Sequence, residues 1–396
     1  MPELVSPDNK LTVDLDAIAH NLASMRALMP AGCRVAGVVK ADAYGHGAVQ
    51  VAGRLKTEGA EFLAVATIAE ALELRQADIE GPIMLLLGLW PSEAALAVEH
   101  DLLPVTDRLE VLEALAAAGQ AAGREAQAQI KVDTGMARLG VRLEDALELL
   151  QAAAKLEGVR VTGLVSHLAT QGLPGSDHAR KQSSDFIRLL STARNMGHEL
   201  ADSSLAASGA VMVPPLDAQG DTGLPAVVRL GISLYGGLPN EGSAGIVDLR
   251  SAMKFSSRLI AVKQVPADTP VSYGCTWIAP NDTWLGVVPV GYADGYSRSF
   301  SNQGVMLVQG RRVPVRGRVC MNLTMLELAD LGPQAQVGDE VVILGRQGDE
   351  EITLDELAGL AGTIPYEIAC SFGAANPLSH TPAAPRHPLD PALGAR

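Results

Sequence analysis

The chain has few cysteines, little aromatic residue content, no excess of positive charge and no long hydrophobic run. Its four cysteines form no Cys-x-x-Cys pair and no histidine spacing suggests zinc, so neither a disulfide framework nor a metal site is expected. The formal net charge of -14 argues against nucleic acid or an anionic membrane surface as a partner, since both attract clustered Lys and Arg. Runs such as IMLLLGLW are too short to span a bilayer, and the sequence starts without a secretory signal. We therefore expect a cytoplasmic protein.

The apolar residues that are present occur in alternating units. Hydrophobic residues make up 47% of the chain, which is enough for a large core. Over residues 11–244, β-rich runs alternate with Ala- and Leu-rich helical stretches, and we expect LTVDL at residues 11–15 to form the first strand. Strands that are apolar on both faces indicate a parallel sheet, and about eight such units are typical of a closed (β/α)8 barrel of the TIM type. Periodicity alone also permits an open, doubly wound sheet.

The pattern changes after Gly236. Over residues 245–378, short strand-like runs are separated by Gly, Pro and Asp, which predicts a mostly β domain. Helical pattern is nearly confined to TLDELAGLAG, where Thr353 is a candidate N-cap. Residues 379–396 are rich in Pro and Ala without apolar periodicity, and we expect them to form a disordered tail.

Lys40 directly follows the apolar run RVAGVV, at the predicted C-terminal end of a strand. In a (β/α)8 barrel this end of the strands forms the functional face. Burial lowers the pKa of an amine, which suits a lysine that reacts with carbonyl groups. Spacing alone is more typical of a lysine that extends along the strand end into solvent.

The string VVKADAYGHG at residues 38–47 closely resembles the cofactor-lysine motif of the alanine racemase family, which are fold-type III pyridoxal-phosphate enzymes. The resemblance implies that Lys40 binds pyridoxal 5'-phosphate and that Tyr44 contacts the phosphate. It further implies an isomerase that interconverts L-alanine and D-alanine, built as a barrel followed by a β domain. Gly45 and Gly47 would let the backbone turn tightly into the next helix.

Further motifs follow in the order typical of the family. IKVDTGMARLGV supplies Arg138, which the resemblance implies contacts the phenolic oxygen of the cofactor and the substrate, and Lys131, which is often carbamylated in the family. VTGLVSHLAT supplies His167, which is implied to stack on the pyridine ring, although a lone histidine there is more typical of a structural role. SLAASGAV supplies Ser208 as an implied phosphate ligand, but Ala207 stands where family members usually have Asn.

VVRLGISLYG supplies three more candidates. The resemblance implies that the backbone amides of Gly231 and Ile232 hold the phosphate and that Arg229 faces the pyridine nitrogen. A fixed cation there would keep this nitrogen unprotonated, which weakens the ring as an electron sink and disfavours transamination. Tyr366, in TIPYEIAC, is implied to contact the phosphate from the second domain.

Racemisation by proton transfer requires a base on each side of the substrate Cα. Lys40 is implied on one side, and VSYGCTW matches the second-base motif of the family with Tyr273. The resemblance also implies that Tyr292 forms a wall of the substrate entrance and that Met321 contacts the substrate carboxylate. Asn322 replaces an Asp that is common in the family, and the Arg-rich motif that usually follows the Tyr-Glu segment is absent.

In the family, the tyrosine of the β domain reaches the lysine of the partner subunit, so the resemblance implies a head-to-tail homodimer. The implied role is the supply of D-alanine for peptidoglycan. Two alternatives stay open. One is a racemase for serine or a broader range of amino acids, and the other is a non-catalytic protein that binds pyridoxal phosphate. Single-domain barrels that only store this cofactor lack a β domain with its tyrosine, which disfavours the last reading.

Overall fold

The computed structural model describes residues 9–214 and 226–382. Strands and helices alternate through the first half, as the apolar pattern predicts. In chain order this half contains β1 (Lys10–Asp14), α1 (Leu15–Ala27), β2 (Arg34–Val38), α2 (Lys40–Gly45), α3 (Ala48–Thr57), β3 (Phe62–Val65), α4 (Ile68–Gln76), β4 (Ile83–Leu85), α5 (Ala94–Glu99), β5 (Leu102–Thr106), α6 (Leu109–Ala121), β6 (Ala126–Asp133), β7 (Val141–Arg142), α7 (Ala146–Ala153), β8 (Val159–Val165), α8 (Asp177–Asn195), β9 (Ser204–Ala207), α9 (Ser208–Met212) and β10 (Val227–Leu230). No helix within the described ranges is long and apolar enough to cross a membrane.

Eight of these strands close into a parallel barrel. Their order is β5-β4-β3-β2-β10-β9-β8-β6, and pairing of β5 with β6 completes the ring. All these pairings are parallel, and the closing one aligns Val105 with Gln129. The predicted (β/α)8 barrel is confirmed, and the open sheet is excluded because both edges of the sheet are paired.

The barrel is held by apolar burial on both faces of its strands. All four residues of β3 are buried, and α3 covers the outside with Val51, Ala52 and Leu55. Such strands are typical of parallel sheets covered by helices. Because the C-terminal ends of all eight strands meet at one face, the residues that follow β2, β6, β8, β9 and β10 are brought to a common mouth.

The second half is mostly β, as predicted. It contains β11 (Met253–Arg258), β12 (Ala261–Val265), β13 (Pro270–Val271), β14 (Trp277–Ile278), β15 (Thr283–Val288), β16 (Val305–Val308), β17 (Arg311–Pro314), β18 (Thr324–Glu327), β19 (Glu340–Gln347), β20 (Glu350–Ile352), α10 (Leu354–Ala361), α11 (Pro365–Ala375) and β21 (Leu378–Thr381). The main sheet has the order β17-β16-β19-β11-β1-β21, with β20 paired to β19. A smaller sheet has the order β12-β15-β18, and β13 pairs with β14.

The first strand does not belong to the barrel. β1 pairs antiparallel with β11, where Leu11 aligns with Phe255, and parallel with β21, where Leu11 aligns with Leu378. The expectation that LTVDL forms the first barrel strand is therefore wrong, because a short apolar run can pair with a distant sheet as well as with a local one. Residues 379–381 lie in β21 rather than in the expected tail, and residues 383–396 of that tail lie outside the described residues.

Two helices lie near the end of the second half, where the sequence predicts one. Thr353 caps α10 by accepting a hydrogen bond from Glu356 N at 3.1 Å, which confirms the predicted N-cap. The expectation of a single helix is wrong, because α11 follows with Pro365 at its first position. α11 packs directly on α2, and a Cβ on Gly45 would come within 2.7 Å of Ala369 O. This close approach brings the second domain to the barrel mouth.

Candidate active site

Lys40 lies at the end of β2 and opens a left-handed turn. Residues 41–44 have φ angles of 52°, 51°, 53° and 56°, although none of them is glycine. Left-handed backbone costs an L-residue roughly 1–2 kcal/mol, so contacts with the rest of the molecule must hold this turn. Glu70 accepts a hydrogen bond from Ala41 N at 2.8 Å, and Asp42 accepts one from Ala48 N at 2.6 Å. The predicted position of Lys40 at a strand end is confirmed, but its strained turn has no sequence signal.

Tyr44 lies at the end of this turn, within a cluster of tyrosines. Its ring centroid is 5.0 Å from that of Tyr235 and 5.6 Å from that of Tyr366, which α11 supplies from the second domain. Burial raises the pKa of Tyr366 to about 12 and raises the pKa of Tyr44 as well, so both phenols stay neutral and can donate O–H. Tyr235 donates to Val38 O at 2.7 Å and thereby anchors the cluster to β2.

The backbone after β10 meets this cluster. A Cβ on Gly231 would lie only 2.7 Å from the hydroxyl of Tyr44, so only glycine leaves room for both groups. Gly231 N donates to Ser208 Oγ at 3.0 Å, and this oxygen is 2.8 Å from Ser233 Oγ. Ile232 begins a short 3-10 helix, whose first N–H groups have no partner within the helix. The structure thus places Ser208, Gly231 and Ile232 together with Tyr44 as a group of hydrogen-bond donors.

Arg229 lies beside this group and is almost completely buried. Its guanidinium donates to Ser204 Oγ, to Ser166 O at 2.6 Å and to Leu205 O at 3.2 Å. Among the residues that the structure describes, no carboxylate forms an ion pair with it. Burial and the nearby Arg138 lower its pKa to about 10, so Arg229 stays positively charged at neutral pH. The strand residue Ser204 was missed by sequence reasoning because a lone serine carries no pattern.

His167 follows β8 and faces Arg229. The two side chains approach at 3.3 Å between Arg229 Nη2 and His167 Nδ1. A guanidinium can only donate, so this approach is favourable when Nδ1 is the unprotonated nitrogen of the ring. Burial, followed by the charges of Arg229 and Lys131, lowers the pKa of His167 to about 2. The imidazole is therefore neutral across the working pH range of proteins.

Two lysines and a further arginine complete the barrel mouth. Burial lowers the pKa of Lys131 to about 7, with Arg229 and Arg138 adding to the effect. Burial also lowers the pKa of Lys40, and Arg138 contributes again. The mouth therefore combines basic groups that repel one another, which favours an anion between them and raises the neutral fraction of the Lys40 amine.

The remaining candidates lie on an exposed surface of the second domain. Tyr273, Tyr292 and Met321 are 69%, 45% and 56% exposed. Their loops are held together, since Tyr292 N donates to Cys320 O at 3.1 Å, Ala293 N donates to Met321 O at 2.9 Å, and Ser272 Oγ donates to Arg318 O at 2.6 Å. The structure therefore brings these side chains to one surface, separate from the buried groups around Lys40.

Comparisons with known proteins agree on one family. The family model described as "Alanine racemase, N-terminal domain" matches residues 13–239, and "Alanine racemase, C-terminal domain" matches residues 252–379. Alanine racemase 2 of Caldanaerobacter subterraneus subsp. tengcongensis is 39% identical over 368 residues, covering 92% of each chain. Alanine racemase of Cutibacterium acnes is 40% identical over 377 residues, covering 94% of this chain and 97% of the relative.

Solved structures agree in fold. The crystal structure of alanine racemase from D-cycloserine-producing Streptomyces lavendulae matches with a TM-score of 0.86 at 36% identity, covering 95% of this chain and 97% of that one. The alanine racemase of Bacillus anthracis with bound L-Ala-P matches with a TM-score of 0.83 at 31% identity, covering 95% of each chain. Both domains and nearly the whole length are therefore shared, and the chain belongs to the alanine racemase family.

Proposed function

We propose that this protein is a pyridoxal-phosphate-dependent alanine racemase in which Lys40 and Tyr273 are the two bases. The observation that carries the proposal is the barrel mouth, where buried basic groups surround a cradle of neutral hydrogen-bond donors. A site with this charge fits a small anionic ligand. The runner-up, a protein that binds the cofactor without catalysis, would use the same cradle, and the racemisation assay below distinguishes the two.

The residues present fit pyridoxal 5'-phosphate. Tyr44, Tyr366, Ser208 and the backbone N–H groups of Gly231 and Ile232 would hold its phosphate, and the Gly231 N–H would exchange its bond to Ser208 Oγ for one to the phosphate. Gly231 also leaves the space that a Cβ would fill. When bound, the cofactor withdraws electrons from the attached amino acid and acidifies its Cα hydrogen. Ala207 supplies no polar side chain to this cradle, where Ser208 Oγ lies 2.8 Å from Ser233 Oγ.

Each residue of the mouth then has a distinct task. Lys40 would bind the cofactor through Nζ and later exchange a proton with one face of the substrate Cα, which its lowered pKa favours. Arg229 would point its permanent charge at the pyridine nitrogen, and neutral His167 would pack against the ring. Arg138, which lies near both Lys40 and Lys131, would orient the substrate. We also propose that Lys131 reacts with carbon dioxide, since an amine with a pKa of about 7 is partly neutral and nucleophilic.

Tyr273 would serve the opposite face of Cα in the site of a second copy. Two exposed apolar surfaces support this head-to-tail homodimer, because large exposed apolar patches mark interfaces. One lies at the barrel mouth and includes Leu87 and Trp90, and the other comprises Tyr273, Tyr292 and Met321. In the dimer, Tyr292 would narrow the entrance to substrates with small side chains, and Met321 would contact the substrate carboxylate.

The proposal is tested with purified protein, L-alanine and chiral analysis of the product. We expect D-alanine from the wild type and none from Lys40→Ala, which also loses the absorbance of bound cofactor. Tyr273→Ala keeps the cofactor and loses most racemisation, whereas the neighbouring exposed variant Ile278→Ala serves as a control. A wild-type rate in Tyr273→Ala would refute the assignment of the second base.

Mixing the two inactive variants tests the shared site. A hybrid dimer of Lys40→Ala and Tyr273→Ala contains one site with both wild-type residues, so activity must appear on mixing. If no activity appears after subunit exchange has been confirmed, the head-to-tail arrangement is contradicted.

A panel that includes L-serine and bulkier amino acids determines the substrate range, for which we expect a strong preference for alanine. We further propose that the enzyme acts in the cytoplasm and supplies D-alanine for peptidoglycan.

A further inference from the structure

His46 is completely buried beneath the left-handed turn that carries Lys40 and Tyr44. Its Nδ1 lies 3.0 Å from Ala43 O and 3.0 Å from Tyr44 O. Carbonyl oxygens only accept hydrogen bonds, so Nδ1 carries the ring hydrogen and donates to both. The two acceptors belong to the last two left-handed residues of the turn, which connects the imidazole to the strained part of the backbone.

The imidazole is neutral and tightly packed. Burial lowers the pKa of His46 to about 4, so Nε2 is unprotonated at neutral pH. This atom is buried and has no hydrogen-bond partner in the described part of the chain. Its ring centroid is 4.5 Å from that of Tyr235, which donates to Val38 O at 2.7 Å. A buried polar atom without a hydrogen-bond partner is destabilising, so the stabilising hydrogen bonds of His46 are those that Nδ1 makes.

Backbone contacts also hold the turn around His46. His380, on β21, donates from Nε2 to His46 O at 2.9 Å. His46 N donates to Asp42 O at 2.8 Å and to Ala43 O at 3.1 Å. The carbonyl of Tyr44 accepts from the imidazole, whereas that of Ala43 accepts from both the imidazole and His46 N. The imidazole therefore helps to fix the directions of both carbonyls, and these directions determine where the Tyr44 hydroxyl meets Gly231.

We propose that His46, with its hydrogen on Nδ1, is a positioning residue that holds the left-handed turn in place and so directs Lys40 and Tyr44 toward the cofactor. The inference rests on the proposed cofactor site at Lys40. It assigns His46 no contact with the cofactor or the substrate, and its effect passes through the carbonyls of Ala43 and Tyr44.

Two amide substitutions separate the two ring nitrogens. In His46→Asn the amide nitrogen takes the place of Nδ1, whereas in His46→Gln it reaches the place of Nε2. His46→Leu has neither donor. His198→Asn is the matched control, because this residue precedes β9 at the opposite face of the barrel.

The measurements are the dissociation constant of pyridoxal phosphate by absorbance, the fraction of Lys40 labelled after borohydride reduction, and the thermal unfolding of the apoprotein. We expect His46→Gln and His46→Leu to bind the cofactor roughly tenfold more weakly and to label Lys40 less, as the loss of well-placed hydrogen bonds predicts. His46→Asn should recover most of the wild-type affinity. The comparison of Asn with Gln stands even where His46→Leu fails to fold.

Equal affinity and labelling in the Asn and Gln variants would overturn the inference, as would variants that lose thermal stability with unchanged cofactor affinity. In both cases His46 would be a core residue only. Wild-type protein that binds pyridoxal phosphate elsewhere than on Lys40 would overturn the proposed cofactor site and this inference with it. Normal labelling of the wild type with no difference among the variants refutes the role of His46 alone.

Discussion

Gly231→Ala adds one methyl group at the point where the backbone after β10 meets Tyr44. The new Cβ would lie 2.7 Å from the Tyr44 hydroxyl, whereas ordinary contacts begin at 3.4 Å, so the hydroxyl must retreat by several tenths of an ångström. The backbone of Gly231 has φ -123° and ψ -103°, and this ψ lies outside the main regions that an L-residue adopts, so the substitution also strains the backbone. Its effect therefore combines this strain with the collision with Tyr44.

The expected magnitude follows from overpacking of a buried site, which typically costs about 1–3 kcal/mol. Because the displaced hydroxyl belongs to the proposed phosphate cradle, we expect pyridoxal phosphate to bind roughly 5- to 150-fold more weakly. Titration of the apoprotein by absorbance measures this loss directly. Gly359→Ala is the matched control, because this glycine of α10 has nothing within 4 Å of its Cβ position and gains helix propensity of up to about 1 kcal/mol.

A second substitution decides whether the collision is the cause. In Gly231→Ala with Tyr44→Phe, the nearest ring atoms lie 3.4 Å from the new Cβ, which is an ordinary contact. The double variant should therefore recover thermal stability relative to Gly231→Ala, although it lacks the Tyr44 hydroxyl. Unchanged cofactor affinity in Gly231→Ala, or no recovery of stability in the double variant, would refute the reasoning.

Three further predictions follow from the same site. In buffer free of carbon dioxide, Lys131→Met should stabilise the apoprotein most below pH 7 and progressively less toward pH 10.5. The pKa of Lys131 in the folded protein, about 7, lies below the usual 10.5, so the cost of its buried charge disappears as the pH rises. Urea unfolding across this range checks the prediction, and a gain in stability that does not change with pH would contradict it. Arg229→Gln should raise the pKa of His167 from about 2 toward its usual value, because Arg229 is the charged group that lowers this pKa most. NMR titration of the imidazole measures the pKa, and an unchanged value would contradict the prediction. Gly373→Ala should lower both the melting temperature and the cofactor affinity, since its Cβ would collide with the backbone of Gly45 and push α11 with Tyr366 away from the mouth; an unaffected protein in both assays would disprove that packing.

The barrel could be predicted from the sequence because its strands are buried on both faces, as in RVAGVV and FLAVA, and alternate with helices. The place of β1 could not, because LTVDL has the same apolar pattern whether it pairs with β2 or with β11, and the choice depends on a partner far along the chain. The sequence did not predict α11, because Pro365 and Gly373 weaken the helical pattern, although proline is favourable at the first position of a helix.

The candidate active site was likewise only partly predictable from the sequence. Motif resemblance named Lys40, Arg229 and Tyr273, and the structure locates them at a buried mouth and on an exposed surface. Resemblance gave no indication that Ala41 to Tyr44 are left-handed, because alanine and tyrosine prefer other conformations and hydrogen bonds to Glu70 and His46 hold them there. The hydrogen bonds of Ser204, Ser233 and His46 depend equally on contacts that sequence patterns do not encode.

The pairing of β1 has a consequence for the order of events during synthesis. This strand leaves the ribosome first, yet its neighbours β11 and β21 begin at Met253 and Leu378. At a translation rate of about 5–20 residues per second, it waits roughly 10–50 s for β11 and longer for β21. A barrel that forms as it emerges must keep this apolar segment unpaired meanwhile, so a nascent chain stalled before residue 253 should be open to a protease at residues 10–14. Expression of the β domain from residue 245 onward would lack an inner strand of its main sheet, so its solubility should depend on a peptide supplied from the start of the chain.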